Sequence, residues 1–422
     1  MLQSQLFTKT RKEVPADEVA KNAQLLIRAG YIHKEMAGVY AYLPLGLRVL
    51  NNIEKIIREE MDAIGGQELQ LTALQDKTLW EKTDRWDDAK VDNWFKTNVS
   101  SGGETGLAIT HEEPLTRIMT EYVSSYRDLP ILAYQFQTKF RNEMRAKSGI
   151  MRGREFLMKD LYSFARTEDE HKELYDKARQ AYVRIFKRLG MGSLTYETFA
   201  SGGIFSEFSE EFQTLSDAGE DTVYVDEKKG IAINKEVLTD QNLEKLGLSK
   251  DSLVPKKSIE SGNIFNLGTK FSETLGLNYK DEKGKTHPVI MGSYGIGLGR
   301  VMGTIAEVLS DDGGLIWPAE VAPFQVHLLT LGDHPDIAKQ AEDLKDSLES
   351  DGVSVLWDDR DLGPGEKFAD ADLLGLPLRI VLSSKTMEAG HIEIKKRTEG
   401  KELYITEQEA FNGKVKEIIS EM

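Results

Sequence analysis

A mixed α/β chain is what the residue pattern predicts, with an antiparallel sheet flanked by helices in its larger part and a small α/β unit at its C-terminal end. Three observations lead there. Between Gln137 and Phe164, two stretches of apolar–polar alternation flank a basic, glycine-containing loop, the pattern of an antiparallel hairpin. Long amphipathic segments stop at glycines, as helices do. Beyond residue 323, strand-like and helix-like segments alternate, as in a compact α/β domain.

Taken in order, Pro15 to Gly30 carries a helical stripe of Val19, Ala23, Leu26 and Ile27 and ends at a glycine. The apolar stretch Tyr40 to Pro44 leads into a predicted helix from Gly46 to Ile64. Its stripe is Leu47, Leu50, Ile53, Ile57 and Met61, and Gly65 and Gly66 end it. Glu68 to Leu74 alternates as a strand, Leu107 to Thr110 reads as another, and Pro114 to Tyr126 as a helix opened by proline. After the hairpin comes an amphipathic helix from Glu168 to Leu189. Residues 218–257 are charged and poorly periodic in places. Strands at Ile264 to Leu267 and around Gly292 precede a helix from Arg300 to Leu309. The Leu315 to Pro323 stretch reads as a junction. Beyond it, strands at Gln325 to Leu331, Val353 to Trp357 and Arg379 to Leu382 alternate with helices at Pro335 to Ser350 and Ala369 to Leu374.

Composition narrows the class. With 422 residues, 40% apolar and 29% charged, the chain has length for two or three globular domains. No apolar run approaches the ~18 residues of a membrane span, and the N-terminus lacks a signal-peptide core, so neither a span nor a leader is expected. Zero cysteines exclude disulfides and thiolate metal sites, and a cytoplasmic location is expected. A net charge of −16 opposes indiscriminate nucleic-acid binding but not a specific RNA met through a local basic patch.

Such a patch lies in the hairpin, where seven Lys or Arg stand between Lys139 and Lys159. Guanidinium groups such as Arg141, Arg152 and Arg154 suit bidentate contacts to phosphate or carboxylate. Phe136, Phe140, Phe156 and Phe164, interleaved with them, offer a face on which a base stacks. Arg141-Asn-Glu143 followed by Arg152-Gly-Arg-Glu-Phe156 resembles motif 2 of the class II aminoacyl-tRNA synthetases. The flanking residues QTKFRNE and REFLMKDLYSF are similar to those of the bacterial-type prolyl-tRNA synthetases. Thr110-His-Glu112-Glu-Pro114 and Gly292-Ser-Tyr-Gly-Ile-Gly-Leu-Gly-Arg300 extend the resemblance, in the family's order, from about Gln5 to the C-terminus.

The resemblance implies a class II antiparallel sheet in a catalytic domain over residues 1–320 and an α/β anticodon-binding domain over 324–422. The reaction implied joins proline to ATP as prolyl-adenylate and then passes the prolyl group to tRNA(Pro). Arg141 and Arg300 are the implied catalytic residues: Arg141 touches both the substrate carboxylate and the α-phosphate, while Arg152 and Arg300 grip the outer phosphates. Glu143 holds the adenine amino group, and Phe156 stacks on the ring. Thr110 and Glu112 bind the secondary ammonium of proline, for which a hydroxyl and a carboxylate are suited acceptors. Phe265 and Ser293 line the ring cavity, Asn263 contacts ATP, and Glu260 serves ribose or Mg²⁺, with Glu143 as the second Mg²⁺ ligand. Arg360 and Lys367 are the implied readers of anticodon guanines. Phe368 and the trio Lys395-Lys396-Arg397 are left to core packing and to solvent or phosphate. The helix-plus-strand unit at 46–74 is similar to motif 1 and implies a homodimer, although Thr72 stands where the family usually has proline.

Other readings of the same residues fail on spacing. The last glycine of Gly295-Ile-Gly297-Leu-Gly299 comes too early for a dinucleotide fingerprint, and Leu115 stands where a zinc protease needs its second His. A threonine enzyme of the same class lacks its metal ligands here, and a non-catalytic paralogue is expected to lose the ATP-gripping residues. Many bacterial relatives carry a large editing insertion between motifs 2 and 3. Only residues 218–257 remain for it, too few to fold alone. The expectation is an enzyme without cis editing of alanyl-tRNA, served by a separate hydrolase acting in trans.

Overall fold

The computed structural model describes all residues except 145–147, 202–207, 333–334, 401–402 and 406–410. Two compact units are distinguished: Met36–Val39 with Glu54–Thr304, and Met1–Glu35 with Tyr40–Ile53 and Ile305–Met422.

The first of these is built on a nine-stranded sheet. Its order is Phe208–Leu215, Thr195–Ser201, Ile231–Asn234, Asp221–Asp226, Val254–Gly268, Ile290–Gly297, Glu155–Ala165, Ile131–Phe140 and Gln67–Glu68. The four strands from Val254–Gly268 to Ile131–Phe140 pair antiparallel throughout, with Phe265 opposite Ser293, Ser293 opposite Tyr162, and Tyr162 opposite Ala133. Both faces are covered at this centre, so Glu155–Ala165 is buried without interruption from Lys159 onward. The helix Glu168–Arg188 packs across it, burying Leu174, Ala178, Tyr182, Ile185 and Phe186. Thr167 caps the helix by accepting from the Glu170 amide, three acids occupy its first turn, and Lys187 and Arg188 close the last, all in accord with the helix dipole.

In the other unit a five-stranded sheet runs Val355–Asp358, Val326–Leu331, Leu378–Ser383, Ile392–Lys396 and Leu403–Ile405, the first three parallel and the rest antiparallel. Val326, Leu328, Ile380, Leu382 and Ile394 pack against Ile337, Ala341 and Leu348 of the helix Ile337–Ser350. The first residues of the chain join its edge: Leu2 bridges Trp357, the Ser4 amide donates to Asp359, and Thr10 donates to Asp370 at 2.7 Å.

Several boundaries differ from the sequence expectation. The first helix covers only Lys21–Arg28, because Ala20 is extended and the Glu18 carboxylate takes the amides of Val19 and Ala20; Val19 is exposed. The second helix spans Pro44–Ala63 with Leu50, Ile53, Ile57 and Met61 buried, but Leu47 faces solvent. The strand expected from Glu68 to Leu74 is split between Gln67–Glu68 and Leu74–Asp76, which belong to different sheets. Between them the backbone is stitched by side chains instead, Leu71 N donating to Gln135 and Leu71 O accepting from Gln137. Residues 218–257 hold two strands and the helix Asp240–Leu246, with a small core of Ile233, Val237, Leu243 and Leu248. Short strands with tight turns between them leave little periodicity to read.

Candidate active site

Two antiparallel strands and the turn between them place the first set of groups. The Arg141 amide bonds to the Arg154 carbonyl at 2.8 Å, closing the base of the hairpin tip, and Arg154 spends its guanidinium on the carbonyls of Glu143 and Ala37. Arg154 is thus a brace of the loop. The basic residues Arg145 and Lys147 lie outside the described residues. Lys139 and Lys159 do not contribute to a basic surface: both are fully buried. Phe164 is also core, Phe136 lies under Arg58, and Phe140 is not among the residues lining the cleft, which leaves Phe156 as the one of the four that lines it.

That cleft brings together Arg141, Glu143, Arg152, Phe156, Glu260, Asn263 and Arg300. Arg152 pairs with Glu143 at 3.1 Å and with Glu220 at 3.0 Å. Arg300, in the first turn of the helix Leu298–Val308, donates to the Met151 carbonyl and to the carbonyl and carboxylate of Glu260 at 2.8 and 3.2 Å. Asn263 donates to the other oxygen of Glu260. The floor is kept open by Gly295, where a Cβ would meet Met158 at 2.7 Å and Asn263 at 2.9 Å.

Arg141 differs from the other two arginines. Its guanidinium lies 5.3 Å from the Phe156 ring centroid and 3.5 Å from the Ile109 carbonyl. Among the described residues no carboxylate is within ion-pair range of it. Burial, and then the charge of Arg300, push its pKa below the usual arginine value, though a guanidinium stays charged at any working pH. A desolvated cation without an acidic partner is poised for an anionic ligand.

Next to Ile109 begins the second set. Glu112 is 1% exposed; Thr110 Oγ1 donates to its carboxylate at 2.7 and 2.8 Å, with Ser293 and Tyr162 hydroxyls at 3.4 Å. Phe265, half-buried, stands opposite Ser293 across the sheet. Behind them lies a polar network that sequence reasoning missed. Lys139 pairs with Asp160 at 2.8 Å and meets His111 Nδ1, while Gln135 and Tyr162 donate to Asp160. Burial pushes Lys139 down, and His111 to about 4, so the imidazole is neutral. Arg85, also missed, pairs with Glu112 at 3.3 Å and Glu113 at 2.9 Å. Nothing periodic marks it in Thr83-Asp-Arg85-Trp86, so only the fold reveals it.

In the C-terminal sheet, Arg360 lies on Asp358 and Asp370 at 2.7 and 2.9 Å. Lys367 is 3% exposed, its ammonium donating to the carbonyls of Thr330 and Asp358, so it organises the loop beneath Arg360. Phe368 packs beside Leu329, Ala371 and Val381 with Arg379 over its ring, and Arg397 is held by Asp311.

Known proteins resemble this chain along nearly all of its length. Residues 95–309 match the tRNA synthetase class II core domain (G, H, P, S and T), and residues 325–418 match the anticodon binding domain. A proline–tRNA ligase of Zymomonas mobilis is 38% identical over 97% of both chains. One from Bacillus cytotoxicus is 32% identical over 94% of this chain and 96% of its own, in an alignment of 549 positions, so that relative is much the longer protein. The prolyl-tRNA synthetase of Cryptosporidium parvum, solved with L-proline and AMP, shares the fold with a TM-score of 0.77, at 18% identity over 95% of this chain and 75% of its own. The chain belongs to the proline–tRNA ligase family of class II aminoacyl-tRNA synthetases.

Proposed function

We propose that this chain activates proline with ATP and transfers the prolyl group to the terminal ribose of tRNA(Pro). The single observation that carries the reading is Arg141, a half-buried guanidinium with no acidic partner among the described residues, set between the Phe156 cleft and the Thr110–Glu112 pair. In that position it draws a carboxylate and an α-phosphate together. The substrate carboxylate attacks phosphorus, negative charge gathers on the phosphoryl oxygens, and pyrophosphate leaves; Arg141 and Arg300 face that charge. Phe156 and Glu143 take the adenine by stacking and hydrogen bonding. Arg152 and Arg300 take the outer phosphates, and Asn263 takes the nucleotide beside Glu260. Glu112, aimed by Thr110, takes the secondary ammonium, with Phe265 and Ser293 against the ring. In the second step the tRNA hydroxyl attacks the acyl carbon and AMP leaves.

Magnesium fits the donor set in a limited way. Glu143 and Glu260 line one cleft, while no cluster of three or more His, Cys, Asp or Glu that would hold a metal exists among the described residues. One or two carboxylates completed by phosphate oxygens and water is the usual Mg²⁺ arrangement. When bound, the ion neutralises phosphate charge.

The functional division is catalytic over 1–320 and anticodon-binding over 324–422, with Arg360 reading guanine and Lys367 fixing its loop. The helix Pro44–Ala63 and the short strand after it supply the homodimer contact, Thr72 taking the place of the usual proline. The enzyme works in the cytoplasm; no helix among the described residues is long and apolar enough to cross a membrane. Residues 218–257 are too small for an editing domain, and losing the ring methylenes costs alanine only ~1–3 kcal/mol each. Alanyl-tRNA therefore accumulates unless a hydrolase acts in trans. ATP–pyrophosphate exchange with each amino acid tests the reading: proline supports it best and alanine weakly. Exchange driven by another amino acid, or by none, would overturn it.

A further inference from the structure

Glu112 as the acceptor for a substrate cation is the reading on which this inference rests, and it leaves the neighbouring carboxylate unexplained. Glu113 has a side chain that is 0% exposed, its carboxylate already taken by Arg85 and Thr83. It is the closer partner of Arg85: Nη1 lies 2.9 and 3.0 Å from the two oxygens of Glu113 but 3.3 Å from Glu112. Thr83 Oγ1 adds a bond to Glu113 at 2.8 Å. Arg85 is itself fixed, its carbonyl accepting from Trp94 Nε1 and its guanidinium lying near the rings of Trp80 and Phe271. With both carboxylates ionised, one guanidinium leaves the buried trio a single negative charge. Without Glu113, Arg85 would neutralise Glu112 outright.

We propose that Glu113 is a positioning residue that engages Arg85 from the buried side and so leaves Glu112 with a negative charge to offer an incoming secondary ammonium. Specificity for a cationic imino acid then depends on a carboxylate the substrate never touches. The charged groups facing Glu113 are Arg85, Glu112 and, at longer range, Lys270. Burial pushes the Glu113 carboxyl up to about 7, against the pull of Arg85 and with the help of Glu112. Its ionisation is therefore marginal in the free site and is completed by the arrival of positive charge. By linkage, a ligand that favours the ionised form binds better where that form already prevails.

The test is the KM for proline in ATP–pyrophosphate exchange at saturating ATP, with the KM for ATP and thermal unfolding measured alongside. Glu113→Gln keeps the shape, and is expected to raise the proline KM about tenfold with the ATP KM unmoved. Adding Arg85→Met to Glu113→Gln frees Glu112 again and is expected to bring the proline KM back toward wild type. A purely structural role predicts the reverse, a double variant at least as impaired as the single one, and that result overturns the proposal. So does an unmoved KM in Glu113→Gln. Should a variant not fold, the wild-type enzyme decides: its proline KM is expected to fall several-fold from about pH 6 to about pH 8, and a flat profile overturns the proposal. Glu112→Gln separates the two readings. An unmoved proline KM there defeats the role of Glu112 itself, whereas a large rise there beside an unmoved Glu113→Gln defeats only the present inference.

Discussion

The two neighbouring sets of groups, the one proposed for the nucleotide and the one proposed for the imino acid, hold their charges in opposite ways. At the nucleotide end, Arg152 and Arg300 rest on Glu143, Glu220 and Glu260 with side chains between 20% and 43% exposed. At the imino-acid end, Arg85, Glu112, Glu113, Lys139 and Asp160 are all under 9% exposed. Exposed pairs contribute ~0–1 kcal/mol, so a polyphosphate displaces them at little cost. Breaking a buried pair costs ~3–5 kcal/mol, so those groups stay where folding put them. On the proposed reading, the nucleotide end is the one a ligand would remodel, and the other end is built in advance. A small rigid imino acid suits such a preset arrangement of charges, while a long flexible triphosphate suits partners that let go.

The comparison breaks most sharply at Arg141, which belongs to neither pattern. Arg141→Ala is expected to lower kcat/KM for proline-dependent exchange about a thousandfold, as loss of a transition-state donor does. Its unfolding midpoint in urea should stay near wild type, because no ion pair is lost; a loss of activity under tenfold would contradict the assigned role. Next in size, Asp160→Ala strands the Lys139 ammonium and is expected to cost ~3 kcal/mol of stability, read by chemical denaturation. A cost below ~1 kcal/mol would show the imino-acid end to be as yielding as the other. Smaller still, Arg152→Gln should raise the KM for ATP about tenfold while changing stability by less than ~1 kcal/mol. Equal effects on the proline and ATP KM would erase the distinction between the ends.

The smallest effect calibrates exposed pairs in general. Arg397 holds the Asp311 carboxyl down to about 2, and Asp311 is half exposed. Ionised Asp311 is favoured by the fold, so its contribution is complete above the ordinary carboxylate pKa and is lost as pH falls through about 2. Solvent screening limits that loss to below ~1 kcal/mol. Arg397→Gln should leave the acid-unfolding profile displaced by no more than that; a larger displacement would argue that exposed pairs here carry more weight than assigned.

The same division separates the residues legible in the sequence from those that were not. Arg141, Glu143, Arg152, Phe156 and Arg300 were legible because they stand in short runs that resemble motifs of the class II family, and the fold brings those runs to one cleft. The partners that complete the site were not. Arg85 and Asp160 reach their partners across the sheet or between distant segments, and no local period records such a pairing. Lys139 and Lys159 misled for related reasons: from Lys159 onward the strand is buried on both faces, whereas around Lys139 the alternation persists but Gln135, Gln137 and Lys139 take the buried positions and Phe136 and Phe140 the half-buried ones. A different effect hid the brace role of Arg154 and the burial of Lys367: each is satisfied by carbonyls whose positions only the fold defines.

One arrangement bears on how such a molecule is made. Leu2, Ser4 and Thr10 find their partners at Trp357, Asp359 and Asp370, with the whole of Glu54–Thr304 inserted in between. On the ribosome the opening segment must wait, unpaired, until most of the polypeptide has emerged, so the inserted body is free to fold first and the discontinuous one last. Ribosome-stalled nascent chains truncated before residue 355 should then protect the inserted body from protease while the head of the chain is still cut; early protection of that head would refute the order.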